Sequence, residues 1–152
     1  MFVDPSGMLS PIVLIVAGVA VVTLVVWAIL NEHGNNPLTN TEAESVASSW
    51  EKLKKCACDE TTLAYIGKLT VTGQFNPGDI PEGDDVSETR KTLAGRSSFT
   101  ILSADFFDRP TCSQYKTLIH EAFHAGSWDF TEDFSYTFTE DTFKKMAKCL
   151  GC

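Results

Sequence analysis

This sequence predicts an α+β domain preceded by one membrane-spanning helix, and three observations predict it. Residues 11–30 carry no charged side chain and are dominated by Val, Ile, Leu and Ala. Roughly 20 apolar residues suffice to cross a bilayer. Beyond them, stretches of helical periodicity alternate with short runs of β-branched and aromatic residues. Finally, His120-Glu121-Ala122-Phe123-His124 forms an H-E-x-x-H string inside one of those helical stretches.

In chain order, residues 1–10 are a short leading tail and residues 11–30 the membrane segment, with Trp27 as an interfacial anchor. The segment does not read as a cleaved signal. Asp4 precedes it, no Lys or Arg does, and no small-residue cleavage pattern follows Leu30. With no Lys or Arg on either flank, the charge rule assigns no orientation. Residues 31–40 are a polar linker containing Gly34 and Pro37, and residues 41–152 form the domain. Thr39 or Thr41 caps a helix through about Lys55, with Val46, Trp50 and Leu53 on one face. Thr61 to Thr72 reads as a strand, and Gly73 to about Arg96 as a long acidic loop. Phe99 to Ala104 is a short apolar strand. A helix then opens with Thr111 and Gln114 at capping-box spacing, and Gly126 is its stop. Glu140 to Leu150 is a last helix.

The H-E-x-x-H string carries the chemistry. On a helix, residues four apart share a face, so His120 and His124 reach one metal ion. Zinc takes neutral imidazole and keeps an open position in catalytic sites. Glu121 then stands ready as general base toward the attacking water. A catalytic site of this kind needs a third protein ligand, and no histidine lies downstream of His124. The carboxylates that could supply it are Asp129, Glu132, Asp133, Glu140 and Asp141.

The stretch Thr131-Glu132-Asp133-Phe134-Ser135-Tyr136 reads T-x-D-x-x-Y. It resembles the G-T-x-D-x-x-Y-G signature of the aspzincins, the deuterolysin and peptidyl-Lys metalloendopeptidase family. Cys56-Ala57-Cys58 with Leu63-Ala64-Tyr65, the apolar Thr100-Ile101-Leu102 before Phe106-Phe107, and Gln114 to Glu121 are similar to stretches of the same family. The likeness spans roughly residues 50 to 137, with the acidic loop as an insertion. It departs at the signature's two glycines, here Phe130 and Thr137. A metzincin pattern fits less well, since it places glycine at Ser127 and histidine at Phe130. The resemblance implies a zincin-like metallopeptidase domain with Zn2+ held by His120, His124 and Asp133. It also implies that Tyr136 donates to the oxyanion that forms during peptide hydrolysis.

Phe2 to Met8 resembles the D-P-x-G-hydrophobic ending of the core in RHS/YD-repeat proteins. In that family a variable toxin domain follows the string. The combined reading is a zinc-dependent endopeptidase, delivered as an antibacterial effector to a periplasm or target cell. Its implied partners are a protein or peptide substrate, a membrane contacted through residues 11–30, an RHS carrier and a cognate immunity protein. Two readings from other classes stand beside it. One is a membrane-anchored, non-catalytic zinc-binding module, and the other a membrane-disrupting toxin acting through residues 11–30.

Charge and cysteines bound the rest. A formal net charge of −8 argues against nucleic acid as partner. Asp79, Glu82, Asp84 and Asp85 lie in the acidic loop, where they either stay solvated or select basic substrate side chains. Five cysteines include two close pairs, Cys56 with Cys58 and Cys149 with Cys152. They read as disulfides in an oxidising compartment or, alternatively, as a second zinc site. Cys112 stands apart as a small buried hydrophobe.

Overall fold

The computed structural model describes residues 36–75, 87–91, 98–127 and 131–152. Its elements in chain order are α1 (Asn40–Cys56), α2 (Glu60–Lys68), β1 (Val71–Gln74), β2 (Ser87–Lys91), β3 (Ser98–Leu102), α3 (Asp105–Asp108), α4 (Thr111–Ser127) and α5 (Glu132–Leu150).

Local chemistry sets the first two helices. Thr39 caps α1 with a reciprocal capping box, its hydroxyl accepting from the Glu42 N–H while the Glu42 carboxylate accepts from the Thr39 N–H. Val46 and Leu53 are buried on its inner face, and the half-buried Trp50 donates through Nε1 to Ile66 O at 2.8 Å. The strand expected over Thr61–Thr72 is a correction. Asp59 accepts from the Thr62 N–H at 2.7 Å and starts α2 one residue later. Only Val71–Gln74 remains as strand. A side-chain cap and the burial of Ile66 against α1 outweigh the β propensity of the threonines.

The sheet is small, with order β1-β3-β2. β3 pairs parallel with β1 and antiparallel with β2, from Ser87 opposite Leu102 to Lys91 opposite Ser98. As the central strand it is buried from Phe99 through Leu102. β2 lies inside the stretch that sequence pattern assigned wholly to loop. Asn36 bridges to Gln74, and the Glu42 and Gln74 side chains hydrogen-bond, tying the start of α1 to the end of β1.

The fold class is therefore corrected. Among the described residues the domain is mostly helical, five helices around a three-stranded sheet, and not a balanced α+β layer. No described helix is long and apolar enough to cross a membrane. α1 and α5 are amphipathic, each burying one stripe against its neighbours. The membrane-spanning helix predicted over residues 11–30 lies outside the described residues.

α4 is the axis of the core. Leu118, Ile119 and Ala122 are almost fully buried with Leu53, Ile66, Leu102, Phe106 and Met146. Each such aliphatic side chain contributes about 1.5–3 kcal/mol through burial. Gly126 is not a stop. The helix continues to Ser127, and a Cβ at Gly126 would meet Tyr65 of α2, 2.8 Å from its Cα. The glycine permits that close approach. Gln114 does not close a capping box either. Its amide donates to the carbonyls of Arg109 and Phe107.

α5 runs antiparallel to α4 and starts eight residues earlier than the pattern indicated, at Glu132. Two disulfides hold its far end, Cys56–Cys149 to α1 and Cys112–Cys152 to the start of α4. Gly151, at φ 81°, turns the chain out of α5 just before Cys152. The unpaired cysteine is the exposed Cys58, not Cys112. Among the described residues no cysteine joins a group able to hold a metal, so the second zinc site is excluded there.

Two outcomes follow from this architecture. Thiol titration of the unfolded, unreduced chain should read one reactive thiol, and none in Cys58→Ser. Asp59→Ala should lower stability by about 1 kcal/mol at neutral pH in denaturant titrations. The Thr62 N–H bond, with Lys145 nearby, holds the Asp59 carboxyl below its usual 3.8. Its contribution is therefore full above the carboxylate range and fades as pH falls through the lowered value, so the two proteins should converge in acid.

Candidate metal centre

Three pairings set the register between α4 and α5. Lys116 Nζ meets Glu140 Oε1 at 3.0 Å. The His120 ring lies 5.0 Å from that of Tyr136, centroid to centroid. His124 Nε2 lies 3.6 Å from Glu132 Oε1. Each step moves four residues up one helix and four down the other, about one turn. The antiparallel pairing thus brings the first turn of α5 over the histidine pair.

The donor atoms converge. His120 Nε2 and His124 Nε2 are 3.1 Å apart. Glu132 Oε2 is 3.4 Å from His120 Nε2. The atoms of His120, His124 and Glu132 all fall within 4.8 Å of one another, so the cluster can hold a metal ion. A tetrahedral ion bound at about 2.0–2.1 Å sets neighbouring ligand atoms about 3.3 Å apart. The observed spacings bracket that figure, and two imidazoles with one carboxylate suit a borderline divalent cation. The residues present therefore fit such an ion.

Burial sharpens the argument. His124 and Glu121 are 4% and 3% exposed. Burying polar groups of this kind costs free energy unless partners satisfy them. Concentrating two of them on the core helix beside His120 is a cost that function explains better than packing does. The ring of His124 also rests against Phe123, which meets Tyr65 and Phe138. This aromatic wall fixes the histidine-bearing turn of α4.

The third ligand is a correction. The structure brings Glu132 to the histidines, not Asp133. Because α5 already begins at Glu132, both residues are helical and differ by about 100° around the axis. The inner face carries Ser135, Thr139, Thr142, Met146 and Leu150, all buried. Glu132, itself exposed at the start of the helix, continues that stripe at the same spacing, and Asp133 falls off it. Glu140 is engaged with Lys116 one face over. Asp129 lies outside the described residues. The stripe was readable in the sequence once the helix was extended upstream, and the family signature drew attention to the neighbouring carboxylate instead.

Tyr136 stands beside His120, 56% exposed. Asp79, Glu82, Asp84 and Asp85 lie outside the described residues, so the structure does not bear on the predicted selection of basic side chains.

Glu132→Ala should lose most bound metal from the purified chain, as should His120→Ala and His124→Ala, while Asp133→Ala should retain it. Elemental analysis after dialysis against trace zinc reads the difference. Retention in Glu132→Ala with loss in Asp133→Ala would reverse the ligand assignment. Searches against family models, curated proteins and solved structures return no match to this chain, so the geometry of the cluster is what its function must be argued from.

Proposed function

We propose that the chain is a zinc-dependent endopeptidase. The observation that carries this reading is the convergence of Glu132 on the two H-E-x-x-H imidazoles, with the Glu121 carboxylate on the same helix turn. Zinc in this donor set supplies Lewis acidity toward the scissile carbonyl and makes water a better nucleophile.

The chain's own groups do the rest. Glu121, one residue after His120 and three before His124, is the carboxylate proposed to act on a water at the cluster. It takes the proton of the attacking water and returns it to the leaving amine. Its burial keeps bulk water from competing for that proton. Tyr136 stands over His120 with an exposed ring, where its hydroxyl can donate to the carbonyl oxygen as negative charge develops. The exposed Phe134, two residues past Glu132, offers apolar surface at the same end of α5.

The biological setting proposed is that of a secreted or injected effector. Two disulfides in a domain of this size suit an oxidising compartment. The D-P-x-G likeness to RHS/YD-repeat proteins adds a carrier and an immunity protein as proposed partners.

The test separates zinc binding from turnover. Glu121→Gln keeps the shape of the side chain but cannot accept the proton, so it should retain zinc and abolish cleavage of a peptide library. Tyr136→Phe should retain zinc and cost about 2–4 kcal/mol in transition-state stabilisation, read from kcat/KM. Stoichiometric zinc in the wild-type chain without cleavage of any library member would favour a non-catalytic zinc-binding module.

A further inference from the structure

Two hydroxyls stand behind the cluster, and neither belongs to the H-E-x-x-H string. Ser135 and Thr139 lie one turn apart on the inner stripe of α5, both buried. Thr139 Oγ1 donates its proton to Ser135 O at 2.6 Å. A hydroxyl whose only proton is given to a carbonyl can act toward a further group as acceptor. The group facing it is His120 Nδ1, at 3.5 Å. A proton on Nδ1 leaves the lone pair on Nε2, and Nε2 is the atom turned toward His124 and Glu132. Ser135 Oγ sits 2.7 Å from Glu132 O and 3.3 Å from Glu132 Oε2. Its single proton can be shared between the helix carbonyl and the Glu132 carboxylate.

We propose that Thr139 and Ser135 are the positioning residues of this metal centre. Thr139 holds His120 as the Nδ1–H tautomer with Nε2 free for the ion, and Ser135 restrains the Glu132 carboxylate. The backbone connects them, because the Thr139 proton is anchored on the Ser135 carbonyl. One helix therefore supplies the third ligand and the supports for two of the three ligands. Groups in this role typically change metal affinity by 10–100-fold when removed. The proposal rests on the metal-site reading above, but its first arm needs no metal.

That arm uses the full chain labelled with 15N-histidine, stripped of metal and held in mildly alkaline buffer. The chain has three histidines, so two-bond proton–nitrogen correlations assign each ring's tautomer with the aid of single His variants. His120 should be Nδ1–H in the wild type and in Thr139→Ser, and a mixture of tautomers in Thr139→Val. The second arm measures zinc affinity by competition with a chromophoric chelator. Thr139→Val and Ser135→Ala should bind about 10–100-fold more weakly, and Thr139→Ser within about threefold of wild type. Unfolding midpoints of the stripped proteins report whether each variant folds. Should Thr139→Val not fold, the wild-type spectrum decides, since an Nε2–H ring at His120 overturns the proposal. Wild-type tautomer and affinity preserved in Thr139→Val would also overturn it while leaving the metal site intact. A wild-type chain that binds no zinc would instead overturn the metal site, with the tautomer comparison still deciding what Thr139 does.

Discussion

The antiparallel register between α4 and α5 is the constraint on which the rest of this molecule depends. The histidines belong to α4, and Glu132, Ser135, Thr139 and Tyr136 belong to α5. A slip of α5 by one residue would rotate its inner stripe by about 100° and carry Glu132 away from the cluster. Covalent and packing forces both oppose such a slip. Met146 and Leu150 are buried in the core, and disulfides at Cys149 and Cys152 fix the far end of α5 to α1 and α4. These bridges close sequence separations of 93 and 40 residues. Cross-links of that span typically contribute about 2–5 kcal/mol each by restricting the unfolded chain. The clamp lies at one end of the helix pair and the His120–His124–Glu132 cluster at the other, so pairing energy set far from the cluster holds its geometry.

The core helix carries a tension that such a site explains. A helix buried on most sides would be most stable if it were apolar throughout, yet α4 buries Glu121 and His124 within its last two turns. The surrounding structure is arranged around that cost. Gly126 lets α2 approach closely, the Tyr65–Phe123–Phe138 rings wall off the turn, and the Thr139 hydroxyl of α5 faces His120. Fully satisfied buried networks of this type specify one geometry, because a half-satisfied alternative is more costly than either extreme.

Much of this was legible before any coordinates. The capping box at Thr39, the amphipathic face of α1, the strand around Phe99–Leu102 and the helical H-E-x-x-H all follow from local pattern. The helix at Glu60–Lys68 did not, because Thr61, Thr62, Tyr65 and Ile66 favour a strand by propensity, while the Asp59 cap and the packing of Ile66 favour the helix. Nor did the start of α5, which the pattern placed at Glu140 and the structure places at Glu132. The cysteine pairing was equally hidden. Proximity in sequence pointed to Cys58 as half of a pair, and proximity in space selected Cys112.

By itself the sequence determined that two imidazoles share one helix face, since residues four apart on a helix with 3.6 residues per turn lie about 40° apart around its axis. It also offered five carboxylates after His124, from Asp129 to Asp141, as candidates for a third ligand. Which carboxylate arrives is a matter of phase between two helices. That phase is set by buried side chains and disulfides toward the opposite end of α5 from Glu132. Local periodicity cannot encode it, so only the tertiary structure decided for Glu132 and placed Ser135 and Thr139 behind the site.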